Sequence, residues 1–138
     1  MLPLRQQASI IKRRAESQRI REKYPNRIPV VCEKAENSDL PKIEKTKFLV
    51  PYHMLVGEFK YIIFKHLNQA AVAQNYQLAH DKTIYLFVND ISPKAGALFQ
   101  ELYESHCDED GFLHLKYSGE NTLGKIFYSV NMDFYKAS

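Results

Sequence analysis

The pattern of hydrophobic and polar positions divides the chain into short helices and strands. The first segment, SIIKRRAESQRIREK over 9–23, predicts a helix because its apolar residues recur at near-helical intervals and Ser9 can cap its start. Pro25 lies just beyond the expected end. Glu16 falls on the same side of this helix as Ile20, so the apolar face is mixed.

Two runs of β-favouring residues follow. Residues 27–33 predict a strand entered through Pro29, which cannot donate to a ladder and so belongs at the start or edge of the strand. The run KFLVP over 47–51 predicts a second strand, with Phe48 and Val50 on one face. Because the two runs are close in sequence, we expect a hairpin.

The second half of the chain predicts two more helices and two more strands. An apolar stripe predicts a helix over 55–67, and the alanine-rich run 68–76 either lengthens this helix or loops out. We expect a buried strand over 83–88, a short helix over 95–103 and a fourth strand over 112–117. This order is that of ubiquitin. It predicts an α+β fold, a ubiquitin-like β-grasp with a four-stranded mixed sheet and an N-terminal helical extension.

Length and composition limit the chain to one folded domain. It has 138 residues, 45% of them hydrophobic and 25% charged, which is enough for a core without metal or disulfide staples. No apolar run approaches the roughly 18 residues that a transmembrane helix needs. We expect an N-terminal helical extension over 1–26, a ubiquitin-like domain over 27–124 with an insertion at about 68–76, and a tail over 125–138.

The positive charge of the protein belongs to its N-terminus. Residues 1–23 carry seven basic and two acidic side chains, a net charge of +5, whereas residues 24–138 carry a net charge of −2. This basic helix is compatible with binding to a membrane surface, or with a solvated outer face above an apolar stripe. The Arg-bearing, acid-free start also leaves a mitochondrial transit peptide as a weaker alternative.

Little in the sequence points to catalysis or metal binding. Cys32 and Cys107 lie far apart, which favours two thiols in a reducing compartment and leaves one disulfide open. The five histidines lack zinc-ligand spacing, so we expect no metal site and no cofactor. Phosphate loops, dinucleotide fingerprints and nucleophile elbows are missing from the sequence. We therefore expect a protein that is not an enzyme. The reading that we favour has no nucleic-acid partner, and nucleic acid enters only in the alternative that rests on the basic helix.

Several motifs resemble one family closely. RIPVVCEKAENSDLPKIEKTKFLVP (27–51), VGEF (56–59), FVND (87–90) and DEDGFLHLKYSGENTLG (108–124) are similar to the autophagy ubiquitin-like modifiers, the GABARAP and light-chain-3 family. The resemblance covers roughly residues 10–124. It implies a tag that a cysteine protease trims and that ubiquitin-like activating and conjugating enzymes join to phosphatidylethanolamine. It also implies partners on autophagic membrane, among them cargo receptors that carry an aromatic-x-x-aliphatic motif.

The resemblance assigns the conjugation site to the C-terminal region. Gly124 would be the point of protease cleavage and of lipid conjugation, and the tail over 125–138 would be removed. A thin glycine terminus suits this chemistry because glycine permits close backbone approach. Leu123 stands where the family usually has Phe, at a position that the protease is expected to read. Covalent phosphatidylethanolamine would then anchor the protein to membrane.

The resemblance also assigns a peptide groove along the strand over 47–51. An edge strand offers unpaired main-chain groups to an extended peptide, and flanking pockets supply specificity. The aromatic pocket would use Glu16, Ile20, Pro29, Val31, Lys47, Leu49 and Phe112. The aliphatic pocket would use Phe48, Val50, Pro51, Met54, Phe59 and Ile62. The contacts to acidic ligand residues would be Arg27, Lys45 and Lys47. Phe59 and Ile62 are also compatible with an ordinary core role.

Two departures from the family pattern leave alternatives open. Family members often carry basic residues where this chain has Phe64 and His66, and the run 68–76 reads as an insertion of functional, splicing or gene-model origin. The chain could be an unconjugated peptide-binding adaptor of the same fold, or a protein that binds microtubules or nucleic acid through its basic helix. We expect it in the cytoplasm and on autophagosome membranes, with the vacuole and the cytoskeleton as further possibilities.

Overall fold

The computed structural model describes residues 4–75 and 83–119. This part of the chain contains the elements α1 (Leu4–Lys23), β1 (Arg27–Lys34), β2 (Lys47–Pro51), α2 (Val56–Ala73), β3 (Tyr85–Phe87), α3 (Phe99–His106) and β4 (Leu113–Ser118). The sheet has the order β2-β1-β4-β3, in which β1 and β4 are parallel and the other two pairs are antiparallel. A hairpin, a crossover helix and a central parallel pair make a ubiquitin-like β-grasp with a mixed sheet, as predicted.

The main core lies between one face of this sheet and α2. Along β1, Ile28, Val30 and Cys32 are fully buried, and β4 pairs Leu113 with Val30 and Leu115 with Cys32. Because side chains alternate across a strand, these residues share one face. The buried stripe of α2 covers this face at Val56, Phe59, Ile63, Leu67 and Ala71.

The opposite face of the sheet is covered by α1. Pro29 and Val31 point to this side and are buried. Pro29 is the third residue of β1, before the pairing with β4 begins at Val30, so no hydrogen bond to β4 is expected at its missing N–H. The N-terminal extension is therefore packed onto the domain.

Two predicted boundaries moved, and one alternative that the sequence left open is decided. α1 starts at Leu4, so Ser9 lies inside the helix and is not its cap; its hydroxyl accepts a hydrogen bond from Arg13 Nη1 at 2.6 Å. α2 continues to Ala73 and absorbs most of the run 68–76. The predicted strand over 83–88 is shorter, because β4 pairs with it only at β3.

The short helix was also placed too early by the apolar pattern. Ala95 and Gly96 form a turn, and Leu98 is extended and bridges Leu55. The main-chain N–H groups of Phe99 and Gln100 then donate to the loop after β2, which fixes the start of α3. Among the described residues, no helix has the length and apolar character to cross a membrane.

Candidate functional site

The outer edge of β2 is the central feature of the site. The N–H of Cys32 donates to the Thr46 carbonyl at 2.8 Å, and the N–H of Tyr52 donates to the Asn26 carbonyl at 3.3 Å. In an antiparallel pair such hydrogen-bonded residues alternate with residues whose peptide groups point away. Lys47 and Leu49 occupy the alternate positions, and β2 is the outermost strand of the described sheet. Their main-chain groups are therefore directed to an open edge, as predicted.

One predicted pocket lies on the α1 side of this edge. Pro29 and Val31 pair in register with Leu49 and Lys47, so their side chains share the face that α1 covers. Lys47 joins the pocket to α1, because its Nζ lies 2.9 Å from Glu16 Oε1. The same Nζ lies 5.9 Å from the ring centre of Phe112. The structure thus brings the residues of the aromatic pocket to one face, with the half-buried Ile20 one helical turn after Glu16.

The second predicted pocket lies on the α2 side. Phe48 and Val50 are buried, and the Phe48 ring packs edge-on against Phe59 with 5.3 Å between ring centres. Met54 and Ile62 are half-buried against this cluster, and Pro51 at the end of β2 is also half-buried. Phe48 and Phe59 are therefore core residues, and Met54 and Ile62 are the accessible part of this side.

The basic residues assigned to acidic ligands differ in how free they are. Lys47 already pairs with Glu16, and Arg27 Nη1 donates to the Leu49 carbonyl at 3.4 Å. Lys45 lies over the Phe48 ring, with its Nζ 5.1 Å from the ring centre. Within the described residues, Arg27 and Lys45 form no ion pair, so both remain available to a carboxylate.

Asp110 is a structural residue that the sequence analysis missed. Its side chain is only 3% exposed, and its carboxylate accepts hydrogen bonds from Phe112 N–H, His114 Nε2 and Arg13 Nε at 2.9, 2.7 and 3.0 Å. Burial alone would raise its pKa, but these three donors outweigh burial and hold the pKa below the usual value. The run DEDG indicated a turn, and nothing in it showed that Asp110 would tie α1 to the sheet.

A group of possible metal ligands forms around the same residue. Asp108, Asp110 and His114 each place a ligand atom within 4.8 Å of the others. The spacing of histidines along the chain did not reveal this group, because two of its members are carboxylates in a turn. The lone pairs of Asp110 already face three hydrogen-bond donors, so we assign the group to the attachment of α1.

Both cysteines are free thiols. Cys32 is buried in β1, where desolvation and then the neighbouring Glu33 raise the pKa of its thiol, whereas Cys107 is exposed. The alternative of one disulfide is therefore wrong. Leu123 and Gly124, which carry the predicted processing and conjugation, lie outside the described residues.

Comparison with known proteins agrees with this architecture and these motifs. Residues 12–124 match the family model described as autophagy protein Atg8, ubiquitin like. The chain belongs to this Atg8 family. It is 49% identical over 118 residues to autophagy-related protein 8 of Mycosarcoma maydis, and the aligned region covers 86% of this chain and 92% of that protein. The protein of the same name from Schizosaccharomyces pombe is 49% identical over 119 residues, 86% of this chain and 91% of the relative.

Solved structures of the family share the fold. The structure of Plasmodium falciparum Atg8 in complex with a Plasmodium falciparum Atg3 peptide has a TM-score of 0.71 and 57% identity, covering 87% of this chain and 98% of that one. The structure of Trypanosoma brucei ATG8 has a TM-score of 0.69 and 32% identity, and the match covers 79% of this chain and 86% of that one. The predicted family and fold are confirmed.

Proposed function

We propose that this Atg8-family protein is a membrane-anchored docking platform for peptides with an aromatic-x-x-aliphatic motif. The observation that supports this most is the open edge of β2, with the residues assigned to the two pockets on opposite faces of the sheet. A peptide added to this edge gains main-chain hydrogen bonds from Lys47 and Leu49, and alternate side chains reach opposite faces. In this proposal the aromatic residue lies toward α1 and the aliphatic residue toward Met54 and Ile62.

Cargo receptors and the conjugating enzyme are the proposed ligands. The Plasmodium falciparum relative was solved with an Atg3 peptide, and that chain is 57% identical to this one. Arg27 and Lys45 would meet acidic residues beside the motif, each exposed pair contributing roughly 0–1 kcal/mol. Lys47 would first have to release Glu16, which would lower its net contribution.

Leu49 provides the sharpest test of the groove. It is 38% exposed and sits at the edge, so Leu49→Ala should weaken binding of a motif peptide about tenfold through lost apolar contact. The measurement is isothermal titration calorimetry with a synthetic peptide. Val72→Ala is the matched control, because Val72 is 84% exposed on α2. Equal affinity of the wild type and Leu49→Ala would show that the peptide binds elsewhere.

We propose further that a cysteine protease cleaves after Gly124 and that the new carboxyl end is joined to phosphatidylethanolamine. In support, the family match stops at Gly124, and 14 residues follow it. In this role the protein is not an enzyme and acts through its lipid anchor on autophagosome membranes and in the cytoplasm.

Intact mass spectrometry of the protein recovered from cells tests this step. The expected species lacks residues 125–138 and carries the mass of one phospholipid, and Gly124→Ala should abolish it. Leu123→Phe should be processed at least as fast as the wild type, because it restores the usual family residue. A full-length mass as the sole species, with an active protease present, would favour the unconjugated adaptor.

A further inference from the structure

A second recess lies on the other flank of α1. It has a volume of about 400 Å³ and lies between α1 and the segment around α3 and β4. Its lining includes Arg14, Ser17, Gln18, Arg21, Tyr103 and Gly111. Glu16, which pairs with Lys47 beside the peptide groove, is not among the lining residues. The helix therefore separates this cleft from the groove.

Among the described residues, the two arginines of this cleft have no carboxylate partner. Two neighbouring charged residues of α1 are paired: Arg13 with Asp110, and Glu16 with Lys47. Arg14 and Arg21 form no ion pair with any residue in the part of the chain that the structure describes. Glu22 is the one acidic residue among the described lining residues, so these residues together carry a net positive charge.

Both guanidinium groups are nevertheless held in place. Arg14 Nε donates to the Glu109 carbonyl at 3.0 Å. The guanidinium carbon of Arg21 lies 4.9 Å from the ring centre of Tyr103, and its side chain also hydrogen-bonds to Tyr52. A side chain that is already positioned loses less rotamer freedom on binding a ligand. Each group retains further N–H donors for a bound oxyanion.

The spacing of the arginines suggests a ligand with two separated charges. Positions i and i+7 lie on one side of a helix, about 10 Å apart along its axis. We propose that this cleft binds an acidic segment of a partner protein, with one carboxylate at Arg14 and another at Arg21. Arginine suits this role because its planar donors match a carboxylate in two parallel hydrogen bonds.

The surroundings favour a peptide over a membrane surface. Arg14 and Arg21 are exposed and line a shallow recess, which a protruding side chain fills more closely than a flat lipid surface does. Asp108 and Glu109 are exposed on the adjoining turn and would repel an anionic bilayer.

The test uses the full chain and a fluorescein-labelled peptide of alternating Glu and Ala. The double variant Arg14→Gln/Arg21→Gln should weaken binding by at least about tenfold in fluorescence anisotropy, since both charge-assisted contacts are lost. Arg19→Gln is the matched control, because Arg19 is an exposed arginine of α1 outside the lining. Gln18→Glu keeps both arginines and their anchors, and should also weaken binding through like-charge repulsion.

Amide shifts in NMR spectra locate the bound peptide. Shifts at 14–22 and 103–111 support the proposal, whereas shifts confined to 47–51 would place the acidic peptide in the groove and overturn it. An equal loss of affinity in Arg19→Gln would mean that only net charge matters, which also overturns the proposal.

A last experiment uses vesicles of phosphatidylserine and phosphatidylcholine in equal parts. If they bind through Arg14 and Arg21 while the peptide does not, a membrane is the occupant and the proposal fails. The double variant should still bind the aromatic-x-x-aliphatic peptide with unchanged affinity. This control separates a failure of the cleft proposal from a failure of the proposed peptide groove.

Discussion

Phe48 and Leu49 are neighbours in β2, but Phe48 is a core residue and Leu49 lies at the exposed sheet edge. Phe48 is 7% exposed and its ring packs on Phe59, while Leu49 is 38% exposed at the sheet edge. The sequence assigned both to pockets of the same groove. The alternation along a strand explains the difference, because one side chain faces α2 and the other faces the side of α1.

Replacing these two residues by alanine should separate stability from binding. Phe48→Ala should lower the free energy of unfolding by about 3–5 kcal/mol, because it leaves a cavity against Phe59. Leu49→Ala should lower it by less than about 1 kcal/mol, as expected for an exposed side chain. Urea denaturation followed by circular dichroism measures both. Equal destabilisation would show that Leu49 belongs to the core.

At the scale of elements, α1 depends on a close contact with the turn before β4. Gly111 has a φ of +82°, and a Cβ at this position would collide with the side chain of Ser17. Ser17 is buried and donates a hydrogen bond to the Asp110 carbonyl at 2.6 Å. The glycine therefore lets the helix approach the turn closely.

Gly111→Ala should loosen α1 from the sheet. The left-handed backbone costs a non-glycine residue about 1–2 kcal/mol, and the collision with Ser17 adds to it. Hydrogen exchange of the α1 amides should become faster, whereas Gly96→Ala should leave it unchanged because a Cβ there has open space. Unchanged exchange in Gly111→Ala would mean that α1 docking does not rely on this contact.

At the scale of the whole molecule, the charge of Asp110 links stability to pH. Three donors hold its pKa below the usual aspartate value, so the unfolded chain takes up the proton first as the pH falls. The stabilisation is thus present above the ordinary pKa of about 4 and is lost as the pH falls through the lower folded value.

Asp110→Asn should therefore be destabilising at neutral pH by about 1–3 kcal/mol, the usual worth of hydrogen bonds to a charged group. The difference from the wild type should shrink as the pH falls below the ordinary aspartate pKa of about 4 and the wild type also loses the charge. Thermal unfolding at several pH values measures this. A difference that stays constant over this range would assign the effect to packing and not to the charge.

The sequence by itself determined the family, the order of the elements and the alternating faces of the strands. These follow from short-range patterns. Side chains in KFLVP alternate between the two faces of a strand, and VGEF begins an amphipathic helix. The motifs over 108–124 lie within the match to the family. The lengths of α1 and α2 and the start of α3 were not determined in this way. Contacts between segments distant in the chain fix the start of α3, as the bridge between Leu98 and Leu55 shows.

Only the tertiary structure decided which charges meet. The sequence showed a basic N-terminal segment with a net charge of +5. Packing then pairs one of these basic residues, Arg13, with Asp110. It places two others, Arg14 and Arg21, in a cleft without a carboxylate partner in the described chain. The physical reason is that ion pairing depends on distances of a few ångströms. Residues nearly a hundred positions apart reach such distances only after the sheet and α1 have packed.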